Sequence, residues 1–230
     1  HPNDYTSWYH SYHRTMTQPA TPASVIAPFD GQQLQDRSGT YTVERRGDTF
    51  WAHLRDPSWL LFHMDDEQPP GPAPWVWKQV VMTTGSHHMQ VYWVEGDDDR
   101  KLHAFPFSFL RGEAAQPGRW VPNETTLLRP PVEDGVYTWN YVCIKCHAVA
   151  GAPRIEDGAV AGSDGARADT QVAELGIACE ACHGPGQEHV RRHQNPITRY
   201  AKHMSEGPDP TIVHPGKLDA ARSSAVCGQC

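Results

Sequence analysis

The chain has 230 residues, enough for one or two domains with a buried core, but only 38% of them are hydrophobic and the mean hydropathy is −0.62. A formal net charge of −7 with histidines neutral argues against nucleic acid or an anionic membrane surface as a principal partner, and no apolar run is long enough to span a bilayer. The 20 prolines, 19 glycines and 14 histidines suit a chain wrapped around cofactors that supply apolar volume.

Residues 1–17 read as a short helix capped by Asn3 or Asp4, with Tyr5, Trp8, Tyr9 and Tyr12 at helical spacing. Its histidines, His10 and His13, are either polar groups on an exposed aromatic helix or metal ligands, His13 ahead of His10. Residues 18–40, with Pro19, Pro22, Pro28, Gly31 and Gly39, read as a linker. From Tyr41 to Leu54 apolar and polar residues alternate about an Arg46-Gly47-Asp48 turn, which predicts a hairpin. An acidic, proline-rich loop follows from Asp65 to Pro74. Val76 to Val94 supplies strand-forming residues interrupted at Thr84-Gly85-Ser86, and Gly96-Asp97-Asp98-Asp99 turns the chain into Lys101 to Phe109. Those aspartates are a solvated turn or, alternatively, a calcium site. In a strand, His87, Met89, Val91 and Trp93 share one face and His88, Gln90 and Tyr92 the other, so periodicity predicts that His87 is the buried one of the two histidines.

Prolines return between Trp120 and Val136, and Trp139-Asn140-Tyr141 leads into Cys143-Ile144-Lys145-Cys146-His147. Residues 151–168 read as a surface loop, and Thr170 to Leu175 as a short helix ending at Gly176 that delivers Cys179-Glu180-Ala181-Cys182-His183. Gly184-Pro185-Gly186 turns the backbone and starts a helix over Gln187 to His193, which projects His189 away from the preceding motif. His193, one turn on, is a donor supporting its neighbours or a solvent-exposed residue beside Arg191 and Arg192. His203 and His214 are further candidate ligands. The sequence ends at Cys227-Gly228-Gln229-Cys230.

Two cysteines separated by two residues and followed at once by histidine form the attachment sequence of a c-type haem, and it occurs twice. The two thiols add across the two vinyl groups of one porphyrin edge, and the adjacent imidazole reaches the iron as proximal ligand. Cys143, Cys146, Cys179 and Cys182 are thereby thioether positions, and His147 and His183 are proximal ligands. All six cysteines lie in such pairs, the third being Cys227 and Cys230, which leaves none for ordinary disulfides. A zinc ribbon is the rival reading, but its pairs usually lie about 15–20 residues apart and need no histidine after each.

Three segments carry a family resemblance: His1-Pro2 with Tyr5, Trp8, Ser11, His13 and Met16; Gly85-Ser86-His87-His88-Met89-Gln90-Val91-Tyr92-Trp93; and Cys182-His183-Gly184-Pro185-Gly186 with His189. They resemble exported bacterial multihaem c-type cytochromes, a group broadly similar to the tetrahaem cytochromes of ammonia oxidation. The likeness covers both ends well and the middle more loosely. It implies that His1 is a proximal ligand closing an upstream motif, that His189 is an axial ligand to a neighbouring haem, and that a histidine follows Cys230. His13, His87, His88, His10 and His203 complete the set of distal candidates, and Met16, Met64, Met82, Met89 and Met204 offer thioether ligation as an alternative.

The expected fold is α+β, a haem-wrapped chain of short helices and long loops, low in regular secondary structure and interrupted by a β-rich insertion. Residues 1–24 would form an N-terminal haem-contacting helix, 25–135 the insertion with proline-rich loops, and 136–230 the multihaem region. The expected function is electron transfer between closely packed, mostly bis-His haems, with at least three covalent haem c groups and a fourth if a cysteine pair precedes His1. Haem attachment places the protein in the periplasm or outside the cell. With no signal peptide visible and no initial Met, the sequence reads as a processed or trimmed piece of a longer cytochrome. Partners are other haem domains or redox proteins, or a second copy in a head-to-tail homopolymer in which His1 completes the Cys227/Cys230 site of the next molecule. The alternative is an oxidoreductase with one open-site haem acting on a small nitrogen or sulfur compound. No catalytic residue is assigned.

Overall fold

Alternation of apolar and polar residues builds the main element of the molecule. In the computed structural model, which describes residues 1–97, 100–113, 116–128, 136–156, 167–205 and 207–230, strand β4 (Thr49–Arg55) buries Phe50, Ala52 and Leu54 and turns Thr49, Trp51, His53 and Arg55 outward. It pairs with β3 (Gly39–Arg46) across the expected turn, where Gly47 adopts φ 62°. The remaining strands of this sheet are β1 (Thr17–Pro19), β2 (Asp30–Asp36), β5 (Trp75–Thr84), β6 (Met89–Glu95), β7 (Leu102–Leu110) and β8 (Arg119–Pro122). All pairings are antiparallel in the order β2-β3-β4-β5-β6-β7-β8, with β1 added to β5 beyond the point where β4 leaves it. The sheet curls into a nearly closed barrel. Its two ends meet through Arg37 and Glu124, 3.3 Å apart, and through Phe29 against Trp120.

The inside is packed with rings. Phe29, Tyr41, Phe50, Tyr92, Phe105, Phe107 and Phe109 join Leu34, Val43, Leu54, Val80 and Val94 in one cluster, many of the rings meeting edge to face. A second cluster covers the outside of β5, β6 and β7: Met82, Val91, Trp93 and Ala104 pack against Trp139 and Ile144 from the C-terminal part. Both faces of β6 are thus buried, Tyr92 inward and Trp93 outward.

This architecture overturns the expected α+β, haem-wrapped chain of low regular structure: 32% of residues are in strands against 27% in helices, and the sheet dominates. The supposed linker is the main reason. Residues 18–40 contribute β2 and most of β1, and Pro19 is tolerated because it closes a short strand at its end. Strand β2 is polar because it is an edge, with Leu34 alone buried. Two helices also differ from expectation. Helix α1 (Pro2–Tyr9) is shorter than predicted and starts at His1 without a side-chain cap, and Arg14–Met16 is a single 3-10 turn. Instead of a helix, Glu174–Leu175 is a strand, β10, paired with β9 (Ala148–Val149). The other helices are α2 (Pro57–Phe62), capped by Asp56, then α3 (Ile144–His147), α4 (Cys179–His183), α5 (Gln187–His193), α6 (Pro196–Met204) and α7 (Ala220–Cys227). Asp98 and Asp99 of the acidic turn, Pro130 and Pro131, and residues 157–166 of the surface loop lie outside the described residues. Among the described residues no helix is long and apolar enough to cross a membrane.

Phe105, fully buried among these rings, is expected to cost about 3–5 kcal/mol when cut to alanine in urea unfolding, whereas Leu127, 97% exposed, should change stability by less than about 0.5 kcal/mol. Burial drives the Tyr92 phenol well above its ordinary range, opposed by the Ala27 N–H that it accepts at 3.2 Å. With the folded value raised, stability from this group is complete below pH 10.0, the ordinary value, and falls as pH rises beyond it, because only the unfolded chain ionises there. Alkaline unfolding followed by tyrosinate absorbance should therefore begin at higher pH in Tyr92→Phe.

Candidate functional site

The first cysteine motif is fastened to the outer face of the sheet. Residues 137–140 run along β7 beyond β8: Ala104 N–H donates to the Tyr137 carbonyl, Trp139 N–H to Leu102, and the Asn140 side chain accepts from Leu102 N–H at 2.8 Å. Three residues later the N–H groups of Cys143 and Ile144 both donate to the Trp139 carbonyl at 3.1 Å. Ile144 drives fully buried into the outer cluster. Gly151 lets the chain pass, since a Cβ there would lie 2.5 Å from Ile144 Cγ1. The Cys143 thiol rests against this cluster, and burial, with Cys146 nearby, pushes it up to about 11. Burial also lowers the His147 imidazole below its ordinary value, so it stays neutral, the form that ligates a metal. Its Nδ1 is buried without a hydrogen-bond partner among the described residues.

The second motif is helix α4, ended by Gly184 at φ 74°. The turn after it is stapled back by Glu180, whose carboxylate accepts from Gly186 N–H at 2.7 Å. His183 is oriented from behind. Val213 N–H donates to the His183 carbonyl at 3.0 Å, and the Val213 carbonyl lies 2.8 Å from His183 Nδ1. A carbonyl only accepts, so Nδ1 carries the proton and Nε2 is left as the free ligand atom. Helix α5 then places His189 and His193 one turn apart, and both meet Asp209 from the following loop.

Two residues tie these parts together. Gly176 N–H donates to the His147 carbonyl at 3.1 Å, Ile177 N–H donates to the His13 carbonyl at 2.9 Å, and Trp8 Nε1 donates to the Ile177 carbonyl at 2.9 Å. Gly176, at φ 78°, passes so close that a Cβ would sit 2.4 Å from the Arg14 carbonyl oxygen. The N-terminal segment therefore lies beside both motifs, and the His1 and His189 rings face each other with centroids 5.9 Å apart and planes 20° apart.

The third pair closes the group. Asp219 caps α7, Gln229 Nε2 donates to the Ala181 carbonyl at 2.6 Å, and Cys146 Sγ approaches the Cys230 carbonyl at 3.6 Å. Burial raises the Cys182 and Cys230 thiols, with Cys227 close enough to both to add to the shift. All six cysteines are free thiols. They do not converge as a zinc ribbon requires: among the described residues, the one group of three or more metal-type ligand atoms is His189, His193 and Asp209, within 4.8 Å of one another.

The other predicted ligands lie outside this group. His10 and His13 are exposed. His87 and His88 are both exposed in the bend between β5 and β6, so the expected burial of His87 is wrong. The strand begins only at Met89, because Gly85 turns the chain at φ 87°. Met89, Val91 and Trp93 do share the outer face. The two imidazoles instead continue a ring column from Tyr12, with centroids 3.9 and 3.8 Å apart, and Thr15 holds this tip through Ser86 at 2.6 Å. His203 is exposed near the end of α6. Sequence reading missed Asp209 and Thr211, although Asp-Pro-Thr is a recognisable side-chain-to-backbone turn. His103, fully buried on β7 beside Thr138, is a core histidine.

No family model matches the chain, and comparison with curated proteins and with solved structures gave no match. In the free-thiol state, Cys143 should react with iodoacetamide at pH 8 roughly a hundredfold more slowly than exposed Cys179 or Cys227, as read by peptide mass spectrometry. Equal rates at all sites would mean that Cys143 is not held against the outer cluster.

Proposed function

We propose that this chain is part of a multihaem c-type cytochrome that passes electrons between closely packed haems outside the cytoplasm. One observation carries the reading: three Cys-x-x-Cys pairs, two followed by histidine, are brought together, the first anchored on the sheet by Ile144 and the other two on helices that have no core of their own. From 179 to 230 no described residue is buried, and Val190, Ile197, Tyr200 and Met204 hold apolar side chains out to solvent. Ile197, Tyr200 and Met204 lie on one stripe of α6, 79%, 68% and 86% exposed. A helix with such a stripe requires an apolar partner, and a porphyrin carried on a neighbouring thiol pair is one.

The residues fit haem c. Six free thiols are available for thioether bonds, the His147 imidazole is neutral with an unpartnered buried nitrogen, and His183 is aimed by the Val213 carbonyl. Bound haem c supplies a one-electron iron couple. The chain's residues attach it through Cys143/Cys146, Cys179/Cys182 and Cys227/Cys230, ligate it through His147 and His183, and exclude water on the Cys143 side through Ile144 and Trp139. His1 and His189, whose rings are stacked with centroids 5.9 Å apart, are further candidate ligands. His13, His10, His87, His88 and His203 remain distal candidates, and their exposure leaves them free to ligate. Iron with two imidazoles has no position for substrate, which favours an electron carrier for redox proteins or other haem domains over a catalyst.

The purified protein should stay red on a denaturing gel, carry at least three haem masses, and give a uniformly low-spin oxidised spectrum. Cys179→Ser with Cys182→Ser should lose one haem. A colourless polypeptide sinks the proposal, and a high-spin component that binds nitric oxide or hydroxylamine replaces it with an open-site oxidoreductase.

A further inference from the structure

The strongest unassigned cluster is the one behind His189. Asp209 Oδ2 lies 3.3 Å from His189 Nδ1 and 2.5 Å from His193 Nε2. Its other oxygen accepts from Thr211 N–H at 2.9 Å and Thr211 Oγ1–H at 2.6 Å, and Thr211 Oγ1 itself sits 3.4 Å from His189 Nδ1. The Asp209 side chain is only 13% exposed. The two Thr211 donors and His193 thus hold the carboxylate in one orientation beside His189.

Three side chains of this kind also describe a divalent-cation site, with two histidines one turn apart on a helix and a carboxylate opposite. The distances favour another role. At 2.5 Å from His193 Nε2 the carboxylate is already in direct hydrogen-bond contact, and its second oxygen is taken by Thr211. The group is closed around the anion rather than around a space. The His189 ring is also stacked on that of His1, with centroids 5.9 Å apart.

We propose that Asp209 is a positioning residue for His189: its carboxylate, next to Nδ1 and linked to it through Thr211 Oγ1, holds the Nδ1–H as hydrogen-bond donor, fixes the tautomer with Nε2 as ligand atom, and increases electron donation from that imidazole. The proposal rests on the reading of His189 as an axial haem ligand. His193 and Thr211 hold Asp209 rather than touching the cofactor. An imidazole whose N–H is given to a carboxylate is a stronger donor, and stronger donation favours ferric over ferrous iron. The haem ligated by His189 is accordingly kept at a lower potential than it would have without Asp209, which orders it within the electron path.

The test uses the haem-loaded protein and follows potentiometric titration and ferric electron paramagnetic resonance. His189→Ala should convert one haem to high spin; if every haem stays low-spin, His189 is not a ligand and the premise falls. With the premise holding, Asp209→Asn should keep that haem low-spin, change its ferric signal, and raise its midpoint potential alone. The expected size is roughly a tenfold weakening of ferric relative to ferrous ligation, about 59 mV for a one-electron couple. Asp209→Glu should recover most of the shift, which loosened packing would not. Unchanged potential in Asp209→Asn overturns the proposal while leaving His189 as ligand. So does stoichiometric binding of added Co²⁺ to the haem-loaded protein that disappears in Asp209→Asn, since the cluster would then be a cation site.

Discussion

The insertion of Ile144 into the outer face of the sheet is the contact on which the rest depends. It sits inside a cysteine motif, so one side chain joins the part of the chain with a conventional core to the part without one. Trp139 works from both sides of this joint: its N–H extends the ladder along β7, and its carbonyl receives the two N–H groups that start the motif. Burying a side chain of this size contributes about 1.5–3 kcal/mol, enough to fix the motif's place on the sheet. From there the order passes outward by backbone bonds, from the His147 carbonyl to Gly176, from Ile177 to His13 and Trp8, and from the second motif to the third through Gln229.

Two physical regimes therefore meet in one chain. Between 17 and 122 stability comes from ring packing inside a curled sheet. Between 179 and 230 the helices are capped and bonded locally, by Asn195 and Asp219 at their starts and Val213 beside His183, but they bury nothing of their own. Short isolated helices are marginal in water, so this arrangement calls for an apolar partner between them. Covalently held porphyrins would meet that need and place the redox groups beside a rigid sheet. The Asp209 group shows the same economy, since Thr211 and His193 hold the carboxylate and His189 is left to act on one side.

Part of the site's local structure was legible in residue order. Gly-Pro-Gly announces the α5 start, and the helix over Gln187 to His193 has the predicted bounds. The partners of those residues were not legible, because Asp209 and Val213 come from a loop many residues away. The fold was misjudged where local signals conflict with tertiary context. Proline and glycine in 18–40 read as linker, but a strand such as β2 needs only its backbone groups paired on one side, and β1 is too short for Pro19 to matter. His87 was misplaced by extending strand periodicity through a glycine that turns the chain.

By itself, the sequence determined where the paired cysteines and their adjacent histidines fall, because that spacing belongs to side chains a few bonds apart. It also determined the central hairpins, whose period-two alternation is a local property. The tertiary structure alone decided that the sheet, rather than the cysteine-bearing C-terminal part, is the body on which the chain is built. It also decided which histidine faces which and what stands behind each imidazole. Those facts depend on contacts between residues far apart in the chain, such as Ile144 with Trp93 or His1 with His189, and no local pattern encodes the closure of such loops.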